Sequence, residues 1–169
     1  MSSPLPTFFR PDVVDQEQTV ANFESYAGNK QGVSVSGAMS FQLSGEKTVT
    51  AVEFNFEGIH GTIDGNITFT IETDDDDKPS GNLVNINATK IIVPEAGIIK
   101  YVFDVPFKLS GATTYWLVRR ISEQTLGNYL GIWANSEGGY DNGHASGFYL
   151  GTWHDGSPMC AWFKIYVRE

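Results

Sequence analysis

The chain has 169 residues, 41% hydrophobic and 13% aromatic, with 18 glycines; a single domain of this size buries roughly 70% of the surface its unfolded chain exposes, so it needs no disulfide or metal as a staple. Eleven Lys and Arg against 20 Asp and Glu leave a formal net charge of -9, which repels phosphate backbones and anionic headgroups and argues against nucleic acid and membrane as partners. The one cysteine, Cys160 in "MCAWF", has no partner for an intrachain disulfide and reads as a small core residue.

Residues 1–15 form a proline-rich zone, with Pro4, Pro6 and Pro11 around Phe8, Phe9 and Arg10. Proline at this density opposes helix and central strand alike, so the zone is expected to be an extended arm. Two adjacent phenylalanines on an arm need apolar cover, either from the chain's own domain or from a partner that Phe8, Phe9 and Arg10 would anchor. The start also lacks a charged segment followed by an apolar run of signal-peptide length, and no stretch approaches the roughly 18 continuous apolar residues of a membrane span.

From residue 16 to residue 169 a β-sandwich domain is expected. Val33, Val35, Met39, Phe41 and Leu43 share a parity, as do Val52, Phe54 and Phe56, and Ile67, Phe69 and Ile71. Ile99, Tyr101, Phe103 and Val105 continue the series, followed by "TTYWLVRRI", "NYLGIWAN", "GFYLGTW" and Phe163, Ile165 and Val167. Alternation of this kind marks half-buried strands, and glycine-rich clusters such as "LSGEKT", "KPSG" and "SEGGYDNG" supply the turns. No segment of helical length keeps an apolar stripe. The predicted fold class is therefore all-β, an antiparallel β-sandwich of jelly-roll type. The echo between "FQLSGEKTV" at 41–49 and "FKLSGATTY" at 107–115 is read as one hairpin geometry selecting Ser-Gly twice, for the positive φ that glycine provides.

Enzymatic motifs are missing. The chain has no G-x-S-x-G elbow, H-E-x-x-H, C-x-x-C or P-loop, and His60, His144 and His154 sit apart in glycine-rich turns. A noncatalytic protein is expected, with no cofactor. The most informative stretch is "YLGIWANSEGGYDNGHASGFYLGTWH", which mixes aromatic residues with amides and carboxylates. Aromatic faces stack on sugar C–H faces while amides and carboxylates fork hydrogen bonds to hydroxyls, so Tyr140, Asp141, Asn142, His144 and Trp153 form a candidate glycan-binding set. Tyr129 and Trp133, in strand-like runs, are assigned to the core instead.

The run "TIETDDDDKPSGNLV" places Asp74, Asp75, Asp76 and Asp77 before Lys-Pro-Ser-Gly, which suits a type I turn with Pro79 second and Gly81 fourth. Two readings stand side by side for the aspartates: a solvated loop, or a weak cation site for which Ca²⁺ is the natural occupant. The spacing is not that of an EF-hand.

The order of "DQEQT", "AMSFQLSGEKTVTAVEFNF", "GNITFTIETDDDDKPSGNLV", "TYWLVRR", "NYLGIWANSEGGY" and "AWFKIYV" resembles a jelly-roll module of the choice-of-anchor type, recurrent in phage tail and fibre proteins and in bacterial surface proteins. The likeness runs from about residue 15 to residue 169; its most specific parts are Ile71, Asp74, Lys78, Pro79, Ser80, Gly81 and Leu83, then Thr114, Tyr115 and Trp116. The resemblance implies a noncatalytic sandwich for display, attachment or recognition. On it rests the expectation of a virion component, in contact with other virion structural proteins or copies of itself, with cell-surface glycans as the alternative partner. The four aspartates and the proline-rich arm depart from the family pattern.

Overall fold

The computed structural model describes residues 11–30, 32, 34–63, 67–92, 95–121, 125–156 and 159–168. Every regular element among them is a strand: β1 (Val13–Gln18), β2 (Phe23–Asn29), β3 (Ser34–Phe41), β4 (Lys47–His60), β5 (Ile67–Asp74), β6 (Pro79–Leu83), β7 (Thr89–Ile92), β8 (Gly97–Leu109), β9 (Tyr115–Ile121), β10 (Asn128–Asn135), β11 (Ala145–Tyr149), β12 (Thr152–Asp155), β13 (Cys160–Ala161) and β14 (Phe163–Arg168). The all-β antiparallel sandwich expected from the alternation is the fold.

The hydrogen-bonded network is continuous but folded into two layers. In the first, β4 is the hub: β8 holds one edge over Lys47–Phe56, while β14 (opposite Thr48–Phe54) and then β10 (opposite Phe56–His60) share the other. Beyond them lie β1 on β14 and β2 on β10. The second layer runs β12, β11, β3, β9, β5, with β7 and β6 in succession on the far edge of β5. The short pairing of Gly28 and Asn29 with Val35 and Ser34 joins the layers at a corner.

Between the layers the alternating residues meet. Phe54 of β4 stacks on Phe69 of β5 at 4.1 Å, and Phe56 and Tyr101 close the same aromatic cluster. Val49, Val52, Ile71, Leu117, Ile132, Phe163, Ile165 and Val167 complete a core that is sealed from solvent. Cys160 is buried in it, as its apolar setting implied, and burial raises its thiol pKa.

Several expectations change in detail. Val13 and Val14 already pair with β14, so the sheet begins inside the proline-rich zone; Phe8, Phe9 and Arg10, like Val33, lie outside the described residues. Val105, placed inside by parity, is 52% exposed. Val49 pairs with Phe107 and Ala51 with Val102, so four residues of β8 bulge opposite one of β4, and Val105 rides on the bulge.

The Ser-Gly echo also has a different cause. Neither Gly45 nor Gly111 has a positive φ. Instead the two turns touch: Leu43 bridges to Gly111, and a Cβ on Gly111 would lie 2.5 Å from the Gly45 Cα. Gly111 is selected there by backbone contact.

Candidate functional site

The outer face of the second layer gathers residues far apart in sequence. By alternation, Thr70, Glu72 and Asp74 of β5 and Trp116, Val118 and Arg120 of β9 point away from the core. Trp116 is nonetheless fully buried: it forms a cluster with Ala38 and Val118, against which Trp153 packs, and the His144 ring meets it edge-on at 5.3 Å. Its indole Nε1 donates to Asp74 Oδ1 at 2.6 Å. His144 Nε2 lies 3.5 Å from Asp77 Oδ2. Two candidate groups read separately from the sequence, the aspartate run and the aromatic C-terminal segment, therefore meet on one face.

Below them sits a buried acid. Glu72 is 1% exposed; it accepts from Thr70 Oγ1 at 2.7 Å, from the Gly81 N–H at 3.0 Å, and from both terminal nitrogens of Arg120. Burial alone would raise its pKa, but the Arg120 and Thr70 hydrogen bonds outweigh burial and hold the carboxyl below its usual value.

The aspartate loop is built differently from the expected turn. Asp75 donates its N–H to the Lys78 carbonyl at 2.9 Å, and the central Asp76 and Asp77 have φ of 54° and 62°. That is a two-residue type I′ hairpin turn, which requires two left-handed residues; aspartate tolerates this conformation better than most side chains. Pro79 is consequently the first residue of β6, opposite Asp74, and Lys-Pro-Ser-Gly is not the turn. The four carboxylates do not gather at one point. Asp74 is engaged by Trp116 and by the Asp77 N–H, Asp77 faces His144, and no three of the run bring carboxylate oxygens together at ligand spacing.

The proposed glycan set is divided between two places. Tyr140 packs edge-on against Phe163 at 5.2 Å and its hydroxyl donates to Gln16 Oε1, to which Asn142 Nδ2 also donates. Burial raises the Tyr140 pKa. Tyr140 thus closes one end of the core, while Asp141 is exposed. Trp153 lies in β12, half-buried against the cluster of Ala38, Trp116 and Val118, with its ring edge-on to Phe148. Conversely, Tyr129 and Trp133, assigned to the core, face outward, because Leu130, Ile132 and Ala134 take the inner parity of β10.

On that outer face of the first layer is a group that period two concealed. A bulge shifts the register between Ile132 opposite Phe56 and Gly131 opposite Gly58, turning Glu57 and His60 to the same side. His60 Nε2 lies 2.6 Å from Glu57 Oε2, the His60 ring stacks on Tyr129 at 4.2 Å, and Glu24 of β2 reaches in from the other flank. Ligand atoms of Glu24, Glu57 and His60 lie within 4.8 Å of one another. The space exists because residue 131 is glycine: a Cβ there would be 2.6 Å from Glu57 Oε2 and 3.1 Å from Glu24 Oε1. Lys30 offsets the charge, 2.9 Å from Glu24 Oε2 and over the rings of Tyr26 and Tyr129. Two carboxylates and one imidazole are a donor set suited to a divalent transition metal.

No nucleophile, base and orienting group converge among the described residues. No protein-family model matches the chain, and no curated protein matches it in sequence.

Proposed function

We propose that this chain is a noncatalytic structural or attachment subunit of a virus particle, of the decoration, collar or fibre type, with a sandwich like that of the choice-of-anchor module. The observation that carries the reading is strand β8. It spans 13 residues and bonds through one edge only, to β4, among the described residues. Ile98, Val102 and Val105 are each more than half exposed along it. A long edge strand with exposed apolar side chains is a template for adding another chain; the bulge blunts β8 beyond Val102, and Gly97–Val102 is the regular stretch that stays open. Lys100 and Asp104 interrupt the strip, which suits a specific partner better than indiscriminate pairing. The -9 net charge keeps the free subunit soluble until it docks.

The test is incorporation into particles of three forms: the chain lacking residues 1–10, which leaves β1 and the Asp12–Arg168 ion pair intact, the Val102→Lys variant, and the two combined. Loss of incorporation with an unchanged melting temperature is the expected result; full incorporation of the combined variant rejects the reading.

A second reading is recognition of cell-surface glycans. It is favoured by the outward aromatic residues Tyr26, Tyr129 and Trp133 beside Glu24 and Glu57, a stacking surface with acceptors at its margin. A glycan array with wild type and Trp133→Ala decides it: signal that disappears in the variant supports recognition, and background binding by wild type dismisses it.

A further inference from the structure

Alternation along β9 sends Tyr115, Leu117 and Ile121 into the core, and the same parity sends Arg119 inward between them. Arg119 is 3% exposed, paired across strands with Gly37 on one side and the core residue Phe69 on the other. It is accommodated there by Gly37, on which a Cβ would lie 2.9 Å from the guanidinium carbon. Among the described residues it has no hydrogen-bond or ion-pair partner, and its Nε is sealed from solvent. Burial lowers its pKa to about 10, so it stays charged at neutral pH. A buried cation without a counter-ion is among the most costly arrangements a core can hold.

The guanidinium opens onto a cavity of about 260 Å³ between the layers. Its wall is mainly apolar, with Phe23, Ala134, Ala145 and Met159, and Ser25 and Tyr149 add hydroxyls. Ser25 faces inward because its cross-strand neighbour is the core residue Ile132. Glu24 also borders the cavity, but it stands opposite the outward Trp133 and pairs with Lys30, so it does not neutralise Arg119.

We propose that this cavity is a binding site for a small organic monocarboxylate, which is independent of the particle-attachment reading. The carboxylate takes the Arg119 fork in bidentate fashion and the body of the acid lies along the apolar wall. One guanidinium sets the charge of the ligand: a monoanion neutralises the cavity, whereas a dianion such as phosphate brings in a second charge with no partner. The volume, a little under the roughly 300–1,000 Å³ typical of drug-sized ligands, fits a small acid or a single acidic sugar.

The test is thermal unfolding and saturation-transfer NMR of the full chain with acetate, lactate, benzoate and glucuronate. Acetamide and glucose serve as neutral controls, and chloride and phosphate at matched ionic strength as anion controls. At least one acid is expected to raise the melting temperature saturably and to show saturation transfer, with its neutral counterpart silent. A response to glucuronate alone identifies a sugar acid; a response to the others identifies a free organic acid. Arg119→Met should abolish both signals and melt higher than wild type in ligand-free buffer, since the unpaired charge is gone. Arg119→Lys keeps the charge without the fork and should weaken binding at least tenfold; it carries the comparison if the methionine variant does not fold. No response to any acid beyond chloride, a response that persists in both variants, or phosphate binding more tightly than every carboxylate overturns the proposal.

Discussion

Replacing Glu72 with glutamine tests whether the outer face of the second layer is held by an ionised carboxylate. The substitution keeps shape and volume, removes the charge, and turns an amide donor toward the donors of Arg120. Hydrogen bonds to charged groups contribute roughly 1.5–3 kcal/mol each against about 1 kcal/mol for neutral ones. Glu72 is 1% exposed but the Arg120 side chain is 39% exposed, so solvent already screens one partner and the full penalty for breaking a buried pair does not apply. A loss of about 2 kcal/mol at neutral pH follows. The pH dependence carries the sign. Because the folded-state pKa of Glu72 is depressed, its contribution is fully present above the unfolded value, about 4.3 for glutamate, and is lost as pH falls through the lower folded value. Urea unfolding of wild type and Glu72→Gln, followed by tryptophan fluorescence from pH 7 into the acid range, should show a stability difference that is widest at neutral pH and narrows in acid. A difference below about 0.5 kcal/mol at pH 7, or one that does not change with pH, refutes the reasoning.

The two touching turns separate close approach from backbone conformation. Gly111→Ala should destabilise by about 1–3 kcal/mol, since its Cβ meets backbone that cannot rotate away, while Gly45→Ala, whose Cβ meets nothing within 4 Å, should fall within about 0.5 kcal/mol of wild type; denaturant midpoints of both decide it. In the type I′ turn, Asp77→Gly should raise the melting temperature by a few degrees, equivalent to roughly 0.5–1 kcal/mol, because glycine occupies the left-handed region without strain; a lowered melting temperature would mean that the Asp77 contact with His144 outweighs the backbone term. Calcium titrated against the chain should give no saturable heat, since the carboxylates of Asp74, Asp75, Asp76 and Asp77 do not gather at one point; a saturable isotherm that Asp75→Asn weakens would show that the loop closes on an ion.

The fold class was legible because its signal is repeated. Phe54, Phe56, Phe69, Ile71, Phe163 and Ile165 all lie inside, as parity places them, whereas in β10 the inner parity belongs to Leu130 and Ile132 and not to Tyr129 and Trp133. Parity does not tell which face of a sandwich is covered a second time. Trp116 has the outer parity of β9, and it is sealed on that face by its neighbours Ala38 and Val118 and by the His144 ring from the segment that leads into β11. The meeting of Asp77 and His144 depends on where β11 joins β3, which brings together segments nearly 70 positions apart through no local pattern. Turn chemistry was legible only in part: a hairpin at the aspartate run was readable, but Pro79 drew the turn three residues too late, since aspartates seldom occupy both central positions of a type I′ turn.

The residues of greatest chemical interest were hidden in two different ways. Glu57 and His60 have different parities, and only the extra residue of a bulge brings them to one side, so a strand read at period two separates them. Arg119 obeys the alternation, and the surprise is its residue type: in "TTYWLVRRI" the doublet Arg119-Arg120 looks like a polar strand end, yet one arginine faces outward to a buried glutamate and the other inward to a cavity. Adjacent identical side chains in a strand always take opposite faces. Where the inner position is charged, either the sheet has ended or the core holds something polar. Here Ile121 is still buried two residues further on and still pairs with Ile67, so the sheet continues, and the inner arginine marks a place where the core is incomplete without an anion.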